Sequence, residues 1–273
     1  MQLIKNICKD AIGLLGYKIY RSTRDFVSYN NFQDLVKAYE YRLNLTENII
    51  PPNALRPKML ARLTGTCPAE AYFIVQNLAK TKDLKGCICE FGSASGDTSA
   101  LIANEIMAQD KIFHLFDSFE GLSAPTEKDL LKDDVYGLGN MKDYAGKMSC
   151  PEYMVLSRLK ELNFPANRYF IHKGFIEQVL RDDTNMPKEV SFAYVDFDFY
   201  EPIKSTLEFL HGVTKPGAII MVDDYDFFST GAKTAVDEFL KEKNSKNTVY
   251  ECVVPDKTHY GCFAILTKRG TAL

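Results

Sequence analysis

No apolar run in this 273-residue chain approaches the roughly 20 residues that a membrane-spanning helix needs. The stretch Leu3–Leu15 is apolar only in patches, broken by Lys5, Asn6, Lys9 and Asp10. It has neither a continuous apolar centre nor a small-residue cleavage site, so a secretory leader is not expected there. Metal spacing is missing among the seven cysteines, Cys8, Cys67, Cys87, Cys89, Cys150, Cys252 and Cys262. Zinc is therefore not expected, and reduced, buried thiols point to a cytoplasmic protein. An excess of positive charge is missing too, the net charge being −3. With 46% hydrophobic and 25% charged residues, 16 Gly and 11 Pro, the composition excludes long disorder, collagen-like repeats and small disulfide scaffolds.

The charge is unevenly spread. Residues 1–62 hold 10 Lys/Arg against 5 Asp/Glu, and the remainder holds 23 against 31. An acidic body argues against nucleic acid as a partner. The basic segment reads as a solvated helical extension over 1–62, punctuated by Pro51, Pro52 and Pro57.

From residue 63 the pattern alternates between helix and strand. Helices are expected at Pro68–Lys80, 97–108, Pro151–Leu162, Phe175–Arg181, Pro202–Leu210 and Gly231–Lys243. Strands are expected at Cys87–Phe91, Lys111–Phe116, Arg168–Ile171, Ser191–Val195 and Gly217–Val222, with a closing antiparallel pair at Thr248–Val254 and Gly261–Thr267. This alternation calls for an α/β fold, a doubly wound Rossmann-like sheet that binds ligands beyond the carboxyl ends of its strands. Between Asp117 and Pro151 lie more than thirty residues without such a pattern, expected to form a lid at about 120–150.

Polar clusters follow directly on four strands. Glu90-Phe91-Gly92-Ser93-Ala94-Ser95-Gly96 is a strand end and a glycine turn opening a helix. Ala94 stands where a dinucleotide fingerprint has its second glycine, which disfavours NAD. An acidic residue ahead of Gly-x-x-x-Gly suits S-adenosylmethionine, whose ammonium Glu90 would neutralise. Asp117, in Asp117-Ser118-Phe119, follows the second strand, where acids hold ribose hydroxyls; Phe119 would pack on adenine. The competing reading makes Asp117 or Ser118 a helix N-cap.

Asp196-Phe197-Asp198 and Asp223-Asp224 end two further strands. Adjacent parallel strands would gather Asp196, Asp223 and Asp224, whose mutual repulsion a hard divalent cation relieves: Mg²⁺, with Mn²⁺ or Ca²⁺ as alternatives. Such an ion lowers the pKa of a coordinated hydroxyl, and a neighbouring carboxylate takes the proton. Asp196 and Asp198 are the catalytic candidates, with His114, His172, His211 and His259 as alternatives.

These residues, together with Thr64-Gly65-Thr66, Pro68, Glu70 and the run Phe116–Leu122, resemble the macrocin O-methyltransferase family over about residues 60–267. The resemblance implies an S-adenosylmethionine- and Mg²⁺-dependent enzyme that methylates sugar hydroxyls. It implies a seven-stranded sheet of the class I methyltransferase type with a reversed last strand, and a homodimer or larger assembly. It places Glu90, Gly92 and Asp117, with Ser95 and Ser118 in the same turns, on the cofactor, beside Asp196. By the same likeness Thr64, Gly65 and Thr66 would meet the methionine carboxylate, and Gly174 and Phe175 would border the adenine. The acceptor would be a sugar, glycoside or nucleotide-linked sugar. Two rival readings are a glycosyltransferase using Asp196 and Asp198 as an Asp-x-Asp motif, and a non-catalytic cofactor-binding module.

Overall fold

Short β-rich segments punctuated by helices assemble around one sheet. The computed structural model describes residues 50–51, 53–182 and 184–270; the first forty-nine residues, most of the expected extension, lie outside the described residues. The elements are α1 Arg56–Leu60, α2 Pro68–Lys80, β1 Cys87–Phe91, α3 Asp97–Glu105, β2 Phe113–Asp117, α4 Glu152–Glu161, β3 Tyr169–Lys173 and α5 Ile176–Asp182. They continue with β4 Val190–Val195, α6 Tyr200–Val213, β5 Thr214–Val222, α7 Gly231–Lys243, β6 Tyr250–Val253, α8 Lys257–Tyr260 and β7 Ala264–Lys268.

The seven strands order as β3-β2-β1-β4-β5-β7-β6. The first five run parallel, and β7 is antiparallel to both its neighbours. This is the expected doubly wound sheet with its reversed last strand. β2 starts at Phe113 and not Lys111, because the Lys111 carbonyl is taken by the Arg168 guanidinium at 3.0–3.1 Å. β5 starts earlier than expected, at Thr214, and its pairing with β4 shifts register between Val190 and Phe192.

Period-two alternation divides the strand side chains between two cores. One face packs Phe91, Val195 and Val222 against α5, α6 and α7, with Ile176, Leu207 and Val236 at the contact. The other packs Ile88, Tyr194 and Met221 against α2, α3 and α4 through Ile74, Ile102 and Val155. Cys87 and Cys89 share one face as expected, and the described cysteines are free. Cys252 departs from the expectation of burial: it sits exposed on the edge strand β6. Residues before α2 fasten to the body, Arg56 pairing with Glu105 of α3. Among the described residues no helix is long and apolar enough to cross a membrane.

The segment expected to be a lid is packed. A 3-10 turn at Met141–Tyr144 closes a small third core of Met141, Tyr144, Phe199 and Phe228. Leu131 bridges to Ser229, and buried Asp129 accepts from the backbone N–H of Tyr200 at 2.8 Å. The segment is therefore keyed into the start of α6 and the loop after β5.

Candidate active site

The parallel ladder continues one residue past each strand, which aligns the four polar clusters. Gly92 N donates to Phe116 O, Asp196 N to Phe91 O, Asp223 N to Val195 O and Gly174 N to Asp117 O, at 2.7–3.0 Å. The chain leaves the sheet at a common level, at its carboxyl edge.

Gly92 has φ +94°, and a Cβ there would lie 1.8 Å from the Asp196 carbonyl oxygen. At Gly96 a Cβ would meet Val155 of α4 at 2.8 Å. The sequence reading gave these glycines to ligand approach; the structure shows that the protein's own backbone already requires both. The turn is held by Asp117, whose Oδ2 accepts from Ser93 N and Ala94 N at 2.8 Å while Oδ1 accepts from Phe119 N at 2.6 Å. Ser118 Oγ accepts from Glu120 N and donates to Gly121 O. Asp117 and Ser118 thus cap a turn, and no helix follows them. Phe119, at φ +56°, is buried in the core over α2–α4.

Glu90 is wholly buried beneath the turn. Ser99 donates to its Oε2, and Oε1 has no hydrogen-bond partner. Burial raises its pKa to about 8. Thr64 and Ser95 both donate to Asp97 Oδ2 at 3.1 Å, and Thr66 bonds Thr98. The Thr64–Thr66 turn is thereby brought against the glycine turn, with Gly65 open on its Cβ side. Sequence reasoning missed Asp97, the buried residue that joins them and pairs with Arg158. Its signal is an acid at the first position of a helix. Gly174 and Phe175 follow β3, and Phe175 lines a depression of about 310 Å³ with Ser123, Ala124, Glu177, Gln178 and Arg181.

Beside the turn lies a carboxylate cluster. Asp196, Asp198 and Asp224 bring one oxygen each within 4.8 Å of one another. Burial, then the neighbouring acids, holds Asp196 and Asp224 well above the ordinary carboxylate range. Burial likewise lifts Asp198, to about 6. Asp223 is adjacent but engaged: Tyr194 Oη donates to Oδ2 at 2.8 Å and Asp224 N to Oδ1 at 2.7 Å. Glu70, 1% exposed, lies against Asp223, and burial followed by Asp223 keeps it well above its usual pKa. Neither Glu70 nor Tyr194 received a role from the sequence. His114 and His172 are paired with each other at 2.9 Å within the sheet, and His211 bonds Tyr250, so none of these three joins the cluster. Nothing is described of the His259 side chain.

This donor set fits a hard divalent cation. Its oxygens are carboxylates, they converge, and among the described residues no Lys or Arg pairs with them. The cradle likewise fits S-adenosylmethionine, with the orphaned Glu90 oxygen buried below the glycine turn.

The sequence profile of the macrocin O-methyltransferase (TylF) family matches residues 71–254. The chain belongs to this family. It is an S-adenosylmethionine-dependent O-methyltransferase, which sets aside the glycosyltransferase and non-catalytic readings. Solved structures show the same fold. The O-methyltransferase NovP is 19% identical with a TM-score of 0.62, covering 77% of this chain and 84% of its own. CalS11, a calicheamicin methyltransferase, is 18% identical with a TM-score of 0.61, covering 91% and 94%. Apo CalS11, a TDP-rhamnose 3'-O-methyltransferase, is 17% identical with a TM-score of 0.54, covering 91% and 96%. No curated protein is matched by the chain.

Proposed function

We propose that this methyltransferase acts on a hydroxyl of a sugar, glycoside or nucleotide-linked sugar, and that it uses a divalent cation, Mg²⁺ by preference. One observation carries the reading: Gly92 of the cofactor turn touches the Asp196 backbone, so the methyl-donor cradle and the carboxylate cluster are contiguous. Family membership supports the sugar acceptor. So does Tyr136, 52% exposed on the 118–150 segment and close enough to raise its pKa through the Asp198 charge as well as by burial. An aromatic ring beside a catalytic carboxylate suits a sugar ring.

In this reading Glu90, Gly92, Ser95, Asp117, Ser118 and Phe119 shape the donor site from the β1 and β2 ends. Thr64, Gly65 and Thr66 close it on the methionine side, and Gly174 and Phe175 on the adenine side. The cation, when bound, lowers the pKa of an acceptor hydroxyl and neutralises the clustered acids. Asp196 and Asp198 are the carboxylates placed to accept the hydroxyl proton; the pKa of Asp198, about 6, leaves it ionised at neutral pH. The fixed β-strand ends hold donor and acceptor in line, so that positioning supplies much of the rate. Residues 1–62 form an extension and 63–273 the catalytic domain, with the 120–150 segment over the acceptor. Free thiols support a cytoplasmic setting, and the family supports a homodimer.

The test is calorimetric titration with S-adenosylhomocysteine, followed by labelled methyl transfer to a panel of nucleotide sugars, glycosides and catechols. One cofactor per chain and label in sugar acceptors are expected. Label in catechols alone would contradict the acceptor class.

A further inference from the structure

The resemblance assigns Asp223 to the cation and leaves Asp198 for proton transfer, yet the sheet's own pleat separates these residues differently. Asp223 N still donates to Val195 O at 2.8 Å, so its backbone remains in the ladder and its side chain obeys strand alternation. It follows Met221 onto the α2 face, the face that also holds Tyr194. There both of its oxygens are used, Oδ2 by the Tyr194 hydroxyl and Oδ1 by Asp224 N. Asp224 and Asp198 have left the ladder. Each takes a left-handed turn, φ +55° and φ +63°, a conformation that Asp tolerates better than most residues. Those turns fold both carboxylates back over the strand ends, beside Asp196.

A second observation comes from below. Glu70 is buried at the foot of Asp223, and its Oε1 has no hydrogen-bond partner among the described residues. Tyr194, Asp223 and Glu70 form a buried polar layer between the α2 core and the cluster above. Such a layer orients ligands without being one.

We infer that the oxygens holding the cation come from Asp196, Asp198 and Asp224, and that Asp223 is a positioning residue, clamped by Tyr194 and backed by Glu70. The inference rests on the cation proposed above. It changes the assignment of Asp198, which binds through one oxygen and keeps the other for a proton. It also gives the Asp223-Asp224 pair unequal roles: the first sets the turn and the second coordinates.

The experiment uses the full chain and metal alone. Mn²⁺ binding is followed by electron paramagnetic resonance in the unmodified protein, Asp198→Asn and Asp223→Asn, with circular dichroism to confirm folding. Asn at 223 can still accept from Asp224 N and meet Tyr194, so affinity should stay within about fivefold, whereas Asp198→Asn should lose roughly 30-fold or more. Direct ligation is then read spectroscopically. In a Cys67→Ser background, because Cys67 lies near Asp223, Asp198→Cys and Asp223→Cys are titrated with Cd²⁺. A thiolate-to-Cd²⁺ charge-transfer band above the background protein's own is expected for Asp198→Cys and not for Asp223→Cys. If Asp198→Cys does not fold, Asp224→Cys answers the same question. The band in Asp223→Cys alone would overturn the assignment while leaving the cation in place. Absence of Mn²⁺ binding by the unmodified chain would overturn the cation itself.

Discussion

Replacing Gly92 by alanine tests whether the cofactor turn is built by the protein's own packing. The new Cβ would stand 1.8 Å from the Asp196 carbonyl oxygen and 2.8 Å from its carbon, both backbone atoms that no rotamer change can move. The residue also sits at φ +94°. Left-handed backbone costs a non-glycine residue roughly 1–2 kcal/mol, and overpacking adds about 1–3 kcal/mol. The expected loss is therefore roughly 2–5 kcal/mol, or about 4–20 °C in Tm for a domain of this size. Because the strain lands on Asp196, affinity for S-adenosylhomocysteine and for metal should fall with it. Gly65→Ala is the control. Its Cβ meets nothing within 4 Å, so Tm should hold or rise slightly, by the ~0.4–1 kcal/mol typical of compatible Gly→Ala changes. If the Thr64–Thr66 turn receives the methionine carboxylate, cofactor affinity alone should drop. Differential scanning calorimetry and cofactor titration read both variants. A Gly92→Ala protein whose Tm moves by less than about one degree, with unchanged cofactor affinity, would refute the reasoning.

Three further expectations concern charge and packing. Asp198 is raised to about 6 and Glu90 to about 8, so the folded state binds more protons than the unfolded chain above pH ~4. Their contribution to stability is thus present at low pH and is lost as pH rises through those values. The Tm of chelator-treated protein should lose this contribution between about pH 5 and 8, and Mg²⁺ should restore more at the upper end; a metal effect independent of pH would count against the cluster as its site. Asp117→Asn keeps the shape but loses acceptors for Ser93 N, Ala94 N or Phe119 N. Hydrogen bonds to a charged group are worth about 1.5–3 kcal/mol, so cofactor affinity should weaken on the order of tenfold or more, measured by calorimetry. Asp129→Ala strips the Tyr200 and Thr126 N–H groups of their acceptor, costing roughly 1–3 kcal/mol. Limited proteolysis should then cut within 130–148 faster than in the parent; equal cutting would show that Asp129 does not hold the segment.

The strand–helix alternation and the acids at strand ends were legible because both are local. A short apolar run followed by Asp or Glu marks the carboxyl edge of a parallel sheet, and four such runs placed the site. What stayed hidden is set by neighbours distant in sequence. Which of Asp223 and Asp224 keeps the pleat depends on Val195 and Tyr194, one strand away. Gly92 looks like a ligand-facing glycine until β4 is laid beside it. The 118–150 segment has no periodicity of its own; it is ordered by Leu131 against Ser229 and by Asp129 against α6. Its 3-10 turn and small core could not be read from spacing. Asp97, which ties two turns together, has the sequence signature of any acid opening a helix.

The most direct test of the account is the initial rate of methyl transfer to a nucleotide sugar that the panel identifies as an acceptor. It is measured with chelator-stripped enzyme, then with Mg²⁺ returned, in the parent and in Asp224→Asn. The account predicts that stripping abolishes transfer, that Mg²⁺ restores it in the parent, and that Asp224→Asn stays inactive while still binding S-adenosylhomocysteine. Full activity in the stripped parent, or in Asp224→Asn, would contradict it.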